Sequence, residues 1–392
     1  MNRSATTKVG WRRVKFGDVV RLSKARSQDP LADGFERYVG LEHLEPGDLR
    51  IRNWGNVANG VTFTSVFQPG QVLFGKRRAY QRKVAVADFA GVCSGDIYVM
   101  ETKDAQVLLP ELLPFICQTD AFFDHAVDTS AGSLSPRTNW TSLADFEFEL
   151  PPIPQQSALV EVLRAMEATI ETQMNAADAG RVTRSALVED ALAANFDPQV
   201  AKSLGSYLTD LSYGSSSRSA YEKKGYPILR IPNVLRGCVD FSDLQHIELN
   251  DTEFERLALR KGDLLLVRTN GNPQYVGRSV AIENLSGKTV YASYLIRIRC
   301  AEGELRPAFL AEYLNAPSTR QRLRGEVKSS AGNYNINIAG IRKQPICAPG
   351  VTDQDSLLMN LKDIDLAIEA LETRIASSKS IKKQRLAEMW GA

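Results

Sequence analysis

Residues 151–196 read PPIPQQSALVEVLRAMEATIETQMNAADAGRVTRSALVEDALAANF, and the rest of the chain is organised around them. Two prolines and a glutamine pair give way to a long apolar-periodic run with no internal proline. Leu159, Leu163, Met166 and Ile170 follow one another at steps of four, three and four, the spacing of one helix face and of a coiled-coil seam. Met174 and Ala177 extend that face loosely. Gly180 reads as a weak point, and the pattern resumes near Val182, Leu187 and Leu192. A helix over most of this stretch would span roughly 60 Å at about 1.5 Å per residue. Its length and its place in mid-chain predict a spacer between two domains.

Residues 349–390, PGVTDQDSLLMNLKDIDLAIEALETRIASSKSIKKQRLAEMW, repeat the element. Leu357, Leu361, Ile364, Ile368, Leu371 and Ile375 keep the same alternation more strictly. Gln354 falls where Gln156 falls, Leu361 where Leu163 falls, and Ile364 where Met166 falls. Each apolar stripe needs a partner, and each helix is the other's natural one.

The repetition extends to the segments before the helices. WRRVKFGDVVRLS (11–23) recurs loosely as KSLGSYLTDLSY (202–213), with Gly17 matching Gly205. YVGLEHLEPG (38–47) matches PILRIPNVLRG (227–237), each a short strand, a polar turn and a glycine. The clearest pair is FQPGQVLFGK (67–76) with LRKGDLLLVR (259–268), where a glycine turn precedes a buried strand. A further strand follows at Val84–Ala87 or Ser279–Ile282. Ser130-Ala131-Gly132 matches Ser330-Ala331-Gly332, and a polar loop follows each. The order is therefore β-rich unit, long helix, β-rich unit, long helix, with a period of about 195 residues, too long for a solenoid repeat. A shared scaffold with divergent loops predicts two sites of one type that read different targets.

A chain of 392 residues with 43% hydrophobic and 24% charged residues has the composition of a soluble globular protein of two or three domains. No run approaches a membrane span, and MNRSATTKVGW has no signal-peptide core. The five cysteines are scattered, without a CxxC pair, which predicts reduced thiols and a cytoplasmic location. His43, His125 and His246 lack metal-ligand spacing. A net charge of +2 means that any nucleic-acid site must be local or shared with a partner.

Catalytic motifs are missing. Asn272-Pro273-Gln274-Tyr275 resembles the Asn/Asp-Pro-Pro-Tyr loop of amino-methyltransferases but lacks the second proline, and no glycine-rich turn supplies an adenosylmethionine site. There is no GxxxxGK[ST] phosphate loop and no GxSxG elbow. Polar loops suited to nucleic acid are present instead. GKRRAYQRK (75–83) carries Lys76, Arg77, Arg78, Arg82 and Lys83 around Tyr80 and Gln81. Guanidinium groups bind phosphate or pair with guanine, and glutamine pairs with adenine. The matching stretch of the second half carries Arg268, Asn270, Asn272, Gln274, Tyr275 and Arg278. Arg137 and Asn139, and Asn333, Tyr334, Asn335 and Asn337, follow the two SAG stretches. Ser216, Ser217 and Arg218 form a small polar loop suited to backbone phosphates.

With these features together, the chain resembles the specificity subunit of type I restriction–modification systems over essentially its whole length. The resemblance rests on two divergent β-rich units, PPIPQQ leading into a long central helix, a second helix ending IKKQRLAEMW, the paired SAG loops and RTNGNPQYVGR. APGVTDQ in the second half departs from the double proline and double glutamine of the first. The resemblance implies an α+β fold in which two β-rich target-recognition domains, 11–153 and 198–350, are separated by two long antiparallel coiled-coil helices, 154–197 and 351–392, in an internally duplicated, pseudo-twofold arrangement. It further implies a non-catalytic reader of double-stranded DNA, each domain reading half of an asymmetric split site. Two modification subunits would carry S-adenosylmethionine and methylate adenine, and restriction subunits can join and supply cleavage driven by ATP with Mg. The chain itself would hold no cofactor and touch no membrane. The alternatives are a two-domain scaffold that binds protein or glycan, and a self-sufficient methyltransferase.

Overall fold

The computed structural model describes residues 10–390 apart from Arg236, Ser286, Ala331 and the side chain of Ser330. The middle residue of the second SAG stretch therefore lies outside the described residues. Two compact units emerge: one takes the chain up to Met174 and again from Glu372, the other is Asn175–Leu371.

In the first unit an antiparallel four-stranded sheet runs in the order Val20–Leu22, Ile97–Thr102, Val72–Gly75, Val84–Val86. The VLFG strand is buried along its whole length, which explains why it reads as a continuous apolar run. A second sheet runs Gly55–Asn56, Arg37–Val39, Gly91–Cys93, Ser65–Phe67, with the middle pair parallel. The second unit repeats the first sheet as Leu208–Tyr213, Leu295–Cys300, Leu264–Val267, Ser279–Ala281. Its second sheet, Gln245–Ile247, Tyr226–Leu229, Val290–Tyr291, again pairs its last two strands in parallel. The registers correspond: Val72 faces Met100 and Val86, as Leu264 faces Ile298 and Ala281. The turns before the two central strands place Gly70 and Gly262 at φ 87° and 88°, a conformation open to glycine.

The long helices span Ile153–Ala194 and Val351–Trp390. Leu163, Ile170, Leu357, Leu361 and Ile368 are buried, and Leu159, Met166, Ile364, Leu371 and Ile375 are half-buried. Within the first unit Lys382 bonds Glu167, and Ser378 Oγ lies 3.2 Å from Gln173 Oε1. Within the second, Arg184 Nε lies 2.6 Å from Asp365 Oδ1. In each unit the numbering rises along one helix as it falls along the other, so the pairing is antiparallel.

Two details of the periodic reading change. Gly180 does not interrupt the helix; a Cβ there would meet Ile368 Cγ1 at 3.0 Å, so the glycine permits a close approach of the partner helix. Val182 is 69% exposed, and Val188, at 4%, holds the core position instead. The seam shifts because its phase follows the partner helix rather than the apolar residues nearest to Gly180.

The paired glutamines have a structural explanation. Gln156 Oε1 accepts from Leu109 N at 2.9 Å while Nε2 donates to Val107 O and Pro151 O at 2.9 and 2.8 Å. Gln354 makes the same three bonds with Arg306 N, Glu304 O and Pro349 O at 2.8, 2.9 and 2.8 Å. Both side chains are fully buried. Each glutamine, itself cut off from water, satisfies three backbone groups, and so fastens the start of a long helix to its own unit. Leaving a buried polar group unpaired costs about 1–3 kcal/mol. Gln156→Leu should therefore lower stability by at least about 3 kcal/mol, and an unchanged midpoint in chemical denaturation would contradict this account.

Candidate nucleic-acid interface

The first candidate loop follows the buried strand at Gly75. Lys76 passes its ammonium over the Tyr98 ring, 4.7 Å from the centroid. Arg77 bridges to Arg137 in backbone pairing, which attaches it to the small Ser130–Ala131/Arg137–Thr138 hairpin. Arg137 Nε and Arg77 Nη1 then converge on Asp96, at 2.8 and 3.2 Å. The bond from Arg137, joined by that from Arg77, holds the Asp96 carboxyl below its ordinary range. Two guanidiniums on one carboxylate leave net positive charge on this face. Ser135 Oγ accepts from Arg77 and Arg78 at 3.0 and 3.1 Å.

Arg78 and Arg82 both occupy the left-handed region, at φ 55° and 56°, on either side of a 3-10 turn, Ala79–Gln81. Such geometry at a non-glycine residue costs on the order of 1–3 kcal/mol and persists where its surroundings enforce it. Here it displays Tyr80, 55% exposed, at the tip. Arg82 and Lys83 turn elsewhere: Arg82 Nη2 lies 2.5 Å from Asp120 and its guanidinium covers Phe123, while Lys83 Nζ donates to Leu41 O at 2.7 Å. Their charged ends are engaged within the unit, so the open part of the loop is Lys76–Gln81. Asn139 also has local work. Its Oδ1 accepts from Ser142 N at 2.8 Å and caps the Trp140–Ala144 helix, as Asn337 caps Ile338–Arg342.

The second loop follows Val267. Arg268 takes the place of Lys76, with its guanidinium 4.5 Å from the centre of the Tyr213 ring and Nη1 donating to Ser293 O at 3.3 Å. Thr269–Asn270 joins a three-stranded sheet with Asn333–Asn335 and Lys328–Ser330, which brings Asn333, Tyr334 and Asn335 beside the loop. Asn270 Oδ1 accepts from Asn272 N at 2.8 Å, and Asn272 Oδ1 accepts from Gln274 N at 2.9 Å. Gln274 Oε1 accepts from Arg324 at 2.6 Å. The amide oxygens expected to pair with adenine thus shape the loop first. Arg278 lies over the ring of Tyr275, 4.6 Å from its centre. Ser216, Ser217 and Arg218 are exposed, and Ser215, whose backbone bonds Tyr291 and Ser293, carries that serine loop to the strand beside Arg268.

Tertiary contact adds groups that sequence reading missed. Asp96, Ser135, Tyr98 and Tyr213 orient the loops, Leu134 (91% exposed) adjoins Ser135 in the chain, Tyr294 (57%) accepts from Arg268 N through its carbonyl, and Arg320 and Arg324 brace the second loop. The run RQRLR at 320–324 was a visible signal for the last two. Among the described residues no cluster of three or more His, Cys, Asp or Glu side chains could hold a metal ion, and no helix is long and apolar enough to cross a membrane.

The chain is 28% identical over 384 residues to the EcoKI type I restriction enzyme specificity subunit of Escherichia coli K12, across 87% of this chain and 80% of that protein. The chain is a relative of the type I restriction specificity subunits. The EcoDI specificity subunit of Escherichia coli is 30% identical over 227 residues, covering 55% of this chain and 48% of the relative. A chain in a solved structure concerned with complex assembly and conformational transition of the type I R-M system superposes with a TM-score of 0.60 at 19% identity, over 97% of this chain and 96% of that one. The two-unit, two-helix plan is therefore the specificity-subunit fold. No family model matches the chain.

Proposed function

We propose that the chain is the DNA sequence-recognition subunit of a type I restriction–modification complex and carries no catalytic centre of its own. The observation that supports this most directly is the duplicated loop constellation. In a relative of the specificity subunits, two equivalent strands deliver two differently composed sets of Arg, Lys, Asn, Gln and Tyr side chains to the same place on each unit. Such side chains read base edges and phosphates, and different loops on a common scaffold suit two unlike halves of a split, asymmetric site. Lys76, Arg77, Arg78, Tyr80, Gln81 and Arg137 would face one half-site; Arg268, Asn272, Tyr275, Arg278 and the Asn333–Asn335 strand would face the other. Two modification subunits would bring S-adenosylmethionine and methylate adenine. Restriction subunits, where they join, would bring ATP- and Mg-dependent cleavage, all in the cytoplasm. No observation favours the alternative of a scaffold for protein or glycan ligands.

The test pairs the purified chain with duplex DNA and labelled S-adenosylmethionine, with and without a modification subunit of its system. The chain alone should transfer no label, and the complex should label adenine within one split sequence. Label transfer by the chain alone would overturn the assignment.

A further inference from the structure

The two recognition loops are braced by opposite charges. In the first unit the loop supplies the cation and the helix Asp120–Asp128 the carboxylate: Arg82 reaches Asp120, which also lies 3.3 Å from Lys383. In the second unit the corresponding backbone site is Gly277, at φ 84°, and the helix Pro317–Gly325 supplies the cations. The equivalence is set by the ladder, since Gly75 N donates to Lys83 O as Val267 N donates to Arg278 O. Arg320 Nη1 and Nη2 donate to Val276 O and Gln274 O at 2.5 and 2.8 Å, and Arg324 Nη2 donates to Gln274 Oε1. A Cβ at position 277 would meet Arg320 Nη1 at 2.5 Å, so the guanidinium packs directly against the glycine.

Arg320 is held by neutral carbonyls while Arg278 and Arg324 both repel it. Burial first, and then these two charges, bring its pKa down to about 10. Among the described residues none of the three forms an ion pair with a carboxylate. Three guanidiniums gathered without a counter-charge, at the base of a loop whose tip is Gly271 to Gln274, leave a positive site that an anion would neutralise. At the equivalent position of the first unit, among the described residues, no such cluster forms, because Lys83, the counterpart of Arg278, donates to Leu41 O and Asp120 neutralises Arg82.

We propose that Arg278, Arg320 and Arg324 bind a phosphodiester of the DNA backbone at the edge of the second half-site, a contact that the first unit lacks. The proposal rests on the DNA-reading function above and adds an asymmetry to it: the second unit grips the backbone more strongly, independently of base sequence. Arg320 and Arg324 also anchor the loop, so the test leaves both intact. The complex of the full chain with its modification subunit is titrated with a duplex that carries its mapped split site, from 50 to 200 mM salt. Each phosphate contact contributes about 0.9 to the slope of log K against log salt. The variant Arg278→Gln should have a slope shallower by up to about 0.9 and should methylate an unchanged motif, and Arg278→Lys should restore the slope. An unchanged slope would overturn the phosphate site, as would relaxed base choice in the second half-site, which would mark Arg278 as a base contact. Failure of the unmodified complex to prefer any duplex would instead overturn the DNA-reading function itself.

Discussion

Trp390→Ala should destabilise the first unit by about 3–5 kcal/mol, the usual cost of emptying a buried aromatic site. Trp390 is 7% exposed and packs into the same core as Phe16, Phe122, Phe148 and Leu163. Its ring lies 6.2 Å from that of Trp11, and its Nε1 donates to Glu149 O at 2.8 Å. The substitution removes a large apolar group and also leaves a backbone carbonyl without its donor. For a unit of this size each kcal/mol lowers the melting temperature by roughly 2–4 °C, so the expected fall is on the order of 6–20 °C. Far-ultraviolet melting of the full chain would show it as an early transition. A melting curve unchanged by the substitution would mean that the end of the second helix does not hold this unit together. Trp390→Phe keeps most of the packing but not the donor, and should fall between the two.

This dependence also shows what was legible in the sequence. The helices were legible because a strict alternation of fours and threes without proline has few other readings. The central strands were legible because a positive-φ glycine precedes a short apolar run at 70–75 and again at 262–267. Gly180 was misread because a glycine inside a helix costs about 1 kcal/mol relative to alanine, and only the nearness of Ile368 shows its use. The same limit applies to Lys382, whose ammonium is buried between Gln118 and Glu167; a lysine in SIKKQR reads as surface until both partners are seen. At the candidate interface, residue type singled out candidate loops but not the direction of each side chain. Arg77 and Arg82 lie in one basic run, yet one joins Arg137 at Asp96 and the other faces Asp120. Asparagine is ambiguous for a related reason. It serves caps and turns as readily as bases, and Asn139, Asn270 and Asn272 all have local acceptor roles.

The second large effect concerns the two half-sites. Losing one bidentate base contact costs about 1–3 kcal/mol, roughly 5- to 150-fold in affinity. Arg77→Ala or Arg78→Ala should impose that cost at one half of the split site and leave the other half as it was. Arg77 also shares Asp96 with Arg137, so its removal leaves that carboxylate to Arg137 alone and takes away the net positive charge of the pair, which adds to the loss. Changes at Asn272 or Gln274 should act on the other half. They should act more broadly there, because Asn272 Oδ1 shapes the turn and Gln274 is the handle by which Arg324 holds the loop.

The most direct test maps every methylated adenine in DNA from cells that carry the chain and its modification subunit, first unaltered and then with Arg78→Ala alone. The account predicts one split motif for the unaltered chain, and for the variant the same spacer and one unchanged half beside a relaxed other half. Equal relaxation of both halves, or methylation without any split motif, would contradict it.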